Sequence, residues 1–147
     1  MGPRPVRPPD WPERLAAYIA ASRDKRWCWG QHDCCSFARG AVLAAGGPDL
    51  GAGWAGAYAD EAEAGEAIRS LGRDLEEAME RVCALHGLPE IEPPMAQRGD
   101  LVVLRDRMLI GGVPAAAICM GRDALATTIR GLLAVPMRSA VRAWGIG

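Results

Sequence analysis

The amino-acid sequence predicts an α+β domain, N-terminal helices packed on a C-terminal antiparallel β-sheet, and three observations predict it. Cys34, Phe37, Ala38, Ala41, Val42 and Ala45 recur at the third- and fourth-residue spacing of a buried helix face. From Leu101 onward the texture changes to short apolar or alternating runs, LVVLR, VPAAAICM, ALATTIR, LLAVPM and VRAWGI, separated by Gly, Asp and Arg turns. Half of the 147 residues are hydrophobic, which is enough for one core and too little chain for two comfortable ones.

Each element follows from its local signals. Residues 1–10 form a proline-rich arm, and residues 11–147 form the domain. Four prolines and two arginines in the first nine residues cannot continue a helix or a central strand. Asp10 reads as an N-cap, with Pro12 in the first turn and Glu13 as the capping-box partner, so a first helix is expected from Pro12 to Asp24. Asp33 caps the second helix, and Gly46 and Gly47 stop it. Residues 48–58 read as an irregular loop anchored by Trp54 and Tyr58. The acidic, Ala-rich stretch from Asp60 to His86 predicts two short helices, broken near Gly72 and ended by Gly87. Leu88–Gln97, with three prolines, is a connector, and the apolar runs after it predict a meander of four or five strands.

Composition narrows the function classes. Seventeen basic residues are scattered among eighteen acidic ones for a net charge of −1, which leaves no stripe for nucleic acid or an anionic membrane surface. No apolar run approaches the length needed to cross a bilayer, and MGPRPVRPPD lacks the hydrophobic centre of a signal peptide, so synthesis as a soluble cytoplasmic chain without membrane insertion is expected. Five cysteines, Cys28, Cys34, Cys35, Cys83 and Cys119, are odd in number and irregular in spacing, which favours reduced thiols over a disulfide framework. The paired spacing of a structural zinc site is absent, and neither metal nor cofactor is expected.

The stretch WGQHDCCSFARG, residues 29–40, holds the candidate chemistry. Cys34 falls in the first turn of a helix, where unpaired backbone N–H groups and the helix dipole favour thiolate over thiol. The same position suits a small hydrophobe heading a core stripe. Catalysis by a thiolate needs a histidine in hydrogen-bond reach and a polar group to orient it. The chain has two histidines, His32 and His86. His86 lies at a helix C-terminus and reads as a solvated or capping residue; His32, on the loop two residues before Cys34, is a candidate substitute base and otherwise an ordinary surface residue. Asp33 reads as the N-cap, its carboxylate opposing thiolate formation. Cys35 points about 100° away around the helix and reads as a semi-buried passenger. Cys83 and Cys119 read as core, and Asp100 as a turn residue. The alternating Glu61, Glu63 and Glu66 read as a solvated face. Five tryptophans against one Phe and two Tyr leave one or two ring systems for a partner surface.

Trp29-Gly30-x-x-Asp33-Cys34 at the mouth of a helix, Arg98-Gly99-Asp100-Leu-Val-Val-Leu104, and Ile118-Cys-Met-Gly121 closing a strand together resemble the NlpC-type papain-like cysteine peptidases of cell walls and phage tails. The chain is more similar still to a branch of that superfamily carried by phages, prophages and proteobacterial genomes, in which a closing Arg-Ala-Trp also recurs, here Arg142–Trp144. The resemblance spans roughly residues 11 to 145. It implies a papain-like fold, Cys34 in the place of the nucleophile, and Gly99-Asp100 as the turn opening the first sheet strand. It also implies a departure: counting back from Gly121 puts the family's catalytic histidine at Ala115, which takes no proton. The third, orienting position falls near Thr127 or Thr128. General-base assistance contributes about 10²–10⁴ in rate, so its loss leaves a sluggish thiol. What the resemblance implies is a phage or prophage tail-tip accessory protein, made in the host cytoplasm and carried in the virion, docking to other tail-tip or hub proteins and in contact with peptidoglycan. The alternatives are an active peptidase or amidase on peptidoglycan stem peptides, with Cys34 as nucleophile and a base from His32 or a neighbouring subunit, and a thiol-dependent acyl carrier or transferase.

Overall fold

A computed structural model describes residues 7–106, 109 and 114–147. The first six residues of the arm and Val113 of the second apolar run lie outside the described residues. Among the described residues four α-helices precede the sheet: α1 (Trp11–Ser22), α2 (Cys34–Ala44), α3 (Glu61–Leu71) and α4 (Leu75–Leu85). The strands are β1 (Glu90–Ile91), β2 (Leu101–Leu104), β3 (Ala115–Cys119), β4 (Asp123–Thr128), β5 (Gly131–Pro136) and β6 (Ala140–Trp144). They form one antiparallel sheet in the order β1-β6-β2-β3-β4-β5. The chain is therefore α+β. None of the described helices is long and apolar enough to cross a membrane.

Side-chain oxygens start three of the helices. Asp33, Asp60 and Asp74 accept from the backbone N–H three residues on at 2.8, 2.8 and 2.9 Å. Glu63 and Glu77 reach back past the caps to the N–H of Ala59 and Arg73, a variant of the capping box shifted by one residue. Asp10 departs from its expected role. Its backbone lies at φ −92°, ψ 16°, not in the extended region a capping side chain needs, and it makes no capping bond. A turn in which the Trp11 N–H donates to the Pro8 carbonyl sets that conformation, and α1 starts there, one residue early, and ends at Ser22 rather than Asp24.

The strands also depart from the expected order. Strands β2 to β5 make a meander, but β6 leaves it and returns to the other side of β2. The connector Leu88–Gln97 supplies a sixth, two-residue strand, β1, through pairs Glu90–Trp144 and Ile91–Ala143. Side chains alternate across the sheet, so each face of β2 and β3 feeds a different core. Leu101, Val103, Ala116, Ile118 and Trp144 join Leu15, Phe37 and Val42 beneath the helices. Val102, Leu104, Ala115, Ala117, Cys119 and Ala143 pack with Ala124, Ala126 and Val135 on the other side. Cys34 touches both cores, because α2 begins where the end of β3 meets them.

Candidate functional site

The loop before α2 is built to present the head of that helix. Gly30 has φ +82°, and a Cβ there would lie 2.1 Å from the carbonyl oxygen of Tyr58, so only glycine lets the two loops approach. The Gly30 N–H donates to Asp33 Oδ2 at 2.8 Å, and the Tyr58 hydroxyl donates to the same oxygen at 2.7 Å. The other carboxylate oxygen caps the Ser36 N–H. Asp33 is thus a buried hub as well as a cap. Burial, and the role of donor to Asp33, raise the Tyr58 hydroxyl well above its usual range and keep it protonated.

Cys34 follows as the first residue of α2 and is half-buried. Its Sγ lies 4.0 Å from that of Cys35. The Cys34 thiol is lowered from its ordinary value, first by the hydrogen bond from the Cys35 thiol and then by the Ala116 backbone N–H, while burial and the Asp33 carboxylate oppose the shift. Cys35 moves the other way, well above its ordinary value, because of its contact with Cys34 and its burial. Of the two sulfurs, Cys34 is the one whose surroundings favour the thiolate. Cys35 is semi-buried, as expected, and its sulfur is in contact with that of Cys34.

A cavity of about 530 Å³ opens over this pair. Its floor is Cys34 and Cys35 with Ala115 and Ala116 of β3 and Thr127 and Thr128 of β4. Trp27, Trp29, Trp54 and Tyr58 come from the loops, and Ile68, Leu71, Leu75, Met79 and Val82 from α3 and α4. Trp27 and Trp29 meet edge to face at 5.0 Å. The indole Nε1 of Trp27 is buried and has no hydrogen-bond partner among the described residues. The sequence reading missed the α3–α4 wall; Ala64, Ile68, Leu71 and Leu75, Met79, Val82 at helical spacing were the signal, beneath a reading dominated by the acidic face.

His32 is not the surface residue expected if it is no base: it is buried and turns its ring toward Phe37, edge to face at 6.4 Å, and toward the Thr127 hydroxyl, 3.5 Å from Nε2. Burial, with Lys25 adding to it, lowers its pKa below 6.5 and favours the neutral ring. His86 caps α4 with its backbone. Cys83 and Cys119 are buried, and desolvation pushes the Cys83 thiol up to about 12. Among the described residues no cluster of three or more His, Cys, Asp or Glu could hold a metal ion.

The remaining motif residues are held in turns and in the sheet. Gly99 has φ +92° and donates to the Cys119 carbonyl at 2.8 Å, while Cys119 donates back to the Asp100 carbonyl at 2.8 Å. The Asp100 side chain accepts from the Gln97 N–H at 2.8 Å, from the Ile146 N–H at 3.2 Å and from Arg7 at 2.9 Å. Gly121, at φ +106°, makes the turn from β3 to β4. Trp144 is fully buried, and Arg142 lies 5.4 Å over its ring while gripping Glu90 with two bonds of 2.6 Å.

Fold and site together define an α+β domain with a paired-thiol centre at a helix start, under an apolar cavity. Residues 6–146 match the family described as a domain of unknown function (DUF6950), and the chain belongs to that family. No curated protein matches it.

Proposed function

We propose that this is an NlpC-type papain-like domain that has lost its base, and that it acts by binding at the Cys34 cavity and docking to other proteins rather than by cleaving peptide bonds. The supporting observation is that Cys34 and Ala115 line one cavity, so a methyl group stands at the position to which the family resemblance assigns the base. His32, the substitute considered from sequence, directs its ring to Phe37 and Thr127. The setting, a phage or prophage tail tip, rests on the resemblance carried by Trp29–Cys34, Arg98–Leu104 and Arg142–Trp144.

The catalytic question is tested by two measurements. Across pH 5 to 9, a thiol probe is expected to label Cys34 before Cys83 and Cys119, with a midpoint below the ordinary thiol value of 9.0, because the shift is downward. Wild-type protein is expected to leave peptidoglycan stem peptides intact. Ala115→His, with folding checked by its melting transition, is expected to speed attack on an activated amide by about 10²-fold or more. Wild-type turnover with a bell-shaped pH profile would mean that a base is supplied from elsewhere and would establish the peptidase reading. For the setting, tails separated from capsids of the particles are expected to carry the chain; its confinement to the host lysate would refute the virion assignment.

A further inference from the structure

Losing the base does not disable a thiolate uniformly. Attack on an amide gives a tetrahedral adduct that expels the thiolate again unless an acid protonates the departing amine. A thioester differs, because the group expelled is itself a thiolate of matched basicity and needs no proton delivered to it. The missing ring removes the first reaction and spares the second.

The cavity adds the shape of the acyl group. At about 530 Å³ it lies within the range of small-molecule sites. Trp29, Trp54, Ile68, Leu71, Met79 and Val82 make its walls apolar, and a charged peptide would lose hydration there without repayment. Most charged groups that line it are engaged already, Asp33 with Gly30, Ser36 and Tyr58, Asp74 with the Glu77 N–H, Arg39 with Asp49 and Arg105 with Glu76, and Glu61 is solvent-exposed.

We infer that Cys34 accepts an apolar acyl group from an acyl thioester and that the cavity holds its chain. The Cys34 sulfur bonds to the acyl carbonyl carbon, and the carbon–sulfur bond to the donor breaks. The donor leaves as a thiolate and takes from solvent the proton that Cys34 gave up, so nothing is oxidised or reduced. Release of the acyl group to water needs the base that is missing, so the thioester persists; this last step rests on the base-less reading above.

The test uses the full chain and straight-chain acyl thioesters of N-acetylcysteamine from acetyl to decanoyl, with intact mass and peptide mapping as readouts. One hydroxylamine-labile adduct on Cys34 is expected, its rate rising about fourfold per methylene until the cavity is full. Cys34→Ala is expected to abolish it. Ile68→Glu, with folding checked by its melting transition, is expected to flatten the chain-length dependence. Rates independent of chain length, or adducts spread to exposed Cys28, would overturn the inference. Thiol release beyond one equivalent, with the same chain-length dependence, would uphold acyl transfer to Cys34 and refute the base-less reading.

Discussion

The Asp33 carboxylate starts a helix, fixes a loop and sets the charge beside a thiol. Its three donors, the Ser36 and Gly30 N–H groups and the Tyr58 hydroxyl, lie within 2.8 Å of it, and the residue is 2 % exposed. Asp33→Ala leaves these groups without their acceptor and is expected to lower stability by about 3 kcal/mol, read as a shifted urea midpoint at unchanged slope. Asp33→Asn keeps one acceptor oxygen and is expected to cost roughly half as much. Because the carboxylate's charge raises the Cys34 pKa, Asp33→Asn is also expected to move Cys34 labelling to lower pH. A less stable protein with a more acidic thiol is the combined signature. The cap was legible in the sequence, since an Asp before an apolar-periodic run is a local signal. The Tyr58 bond was not, for it joins residues 25 positions apart across a loop without periodicity. Nor was the Cys34–Cys35 contact. A helical wheel separates neighbours by about 100°, but side chains in a first turn tilt toward the N-terminus, where no preceding turn keeps the two sulfurs apart.

At the scale of elements, what the sequence reveals depends on how far its determinants reach. α2, α3 and α4 were legible because an Asp, a periodic apolar face and a glycine lie within one stretch of fourteen residues or fewer. The meander β2 to β5 was legible for the same reason, its turns at Gly121 and Gly131 being local. The place of β6 was not. Its pairing with β2 joins Val102 to Ala143, and neither run carries a mark of the other. β1 was missed because two residues have no periodicity, and they become a strand only when β6 offers an edge. These long-range choices build the site. Inserting β6 on one side of β2 leaves β3 and β4 on the other, so Ala115, Ala116 and Thr127 reach the head of α2. The cavity then exists because α3 and α4 lie over the sheet with apolar stripes turned inward. Arg105 holds Glu76 of α4 to the end of β2, and Arg142 of β6 holds Glu80.

At the scale of the molecule, two distant segments converge on one carboxylate. Asp100, at the turn into β2, takes an ion pair from Arg7 and a backbone bond from Ile146, which join residues 93 and 46 positions away. Arg7 also donates to the Arg98 carbonyl at 2.8 Å and lies 4.3 Å over the Trp11 ring, so this part of the arm is committed to its own domain. With side-chain exposures of 9 % and 5 % the pair is little screened by salt. Removing one partner of a buried pair costs more than removing both, because the survivor keeps its desolvation penalty. Asp100→Ala strands the Arg7 guanidinium and the Gln97 and Ile146 N–H groups, and is expected to cost about 4 kcal/mol. Arg7→Ala leaves Asp100 two backbone donors and is expected to cost about 2 kcal/mol. The double variant is expected to lose clearly less than the sum, since the two residues share one interaction. Melting and urea unfolding of the four proteins, at low and high salt, measure the cycle. A wild-type transition unchanged by Arg7→Ala would mean that Arg7 is free for a partner and that the turn into β2 holds without it.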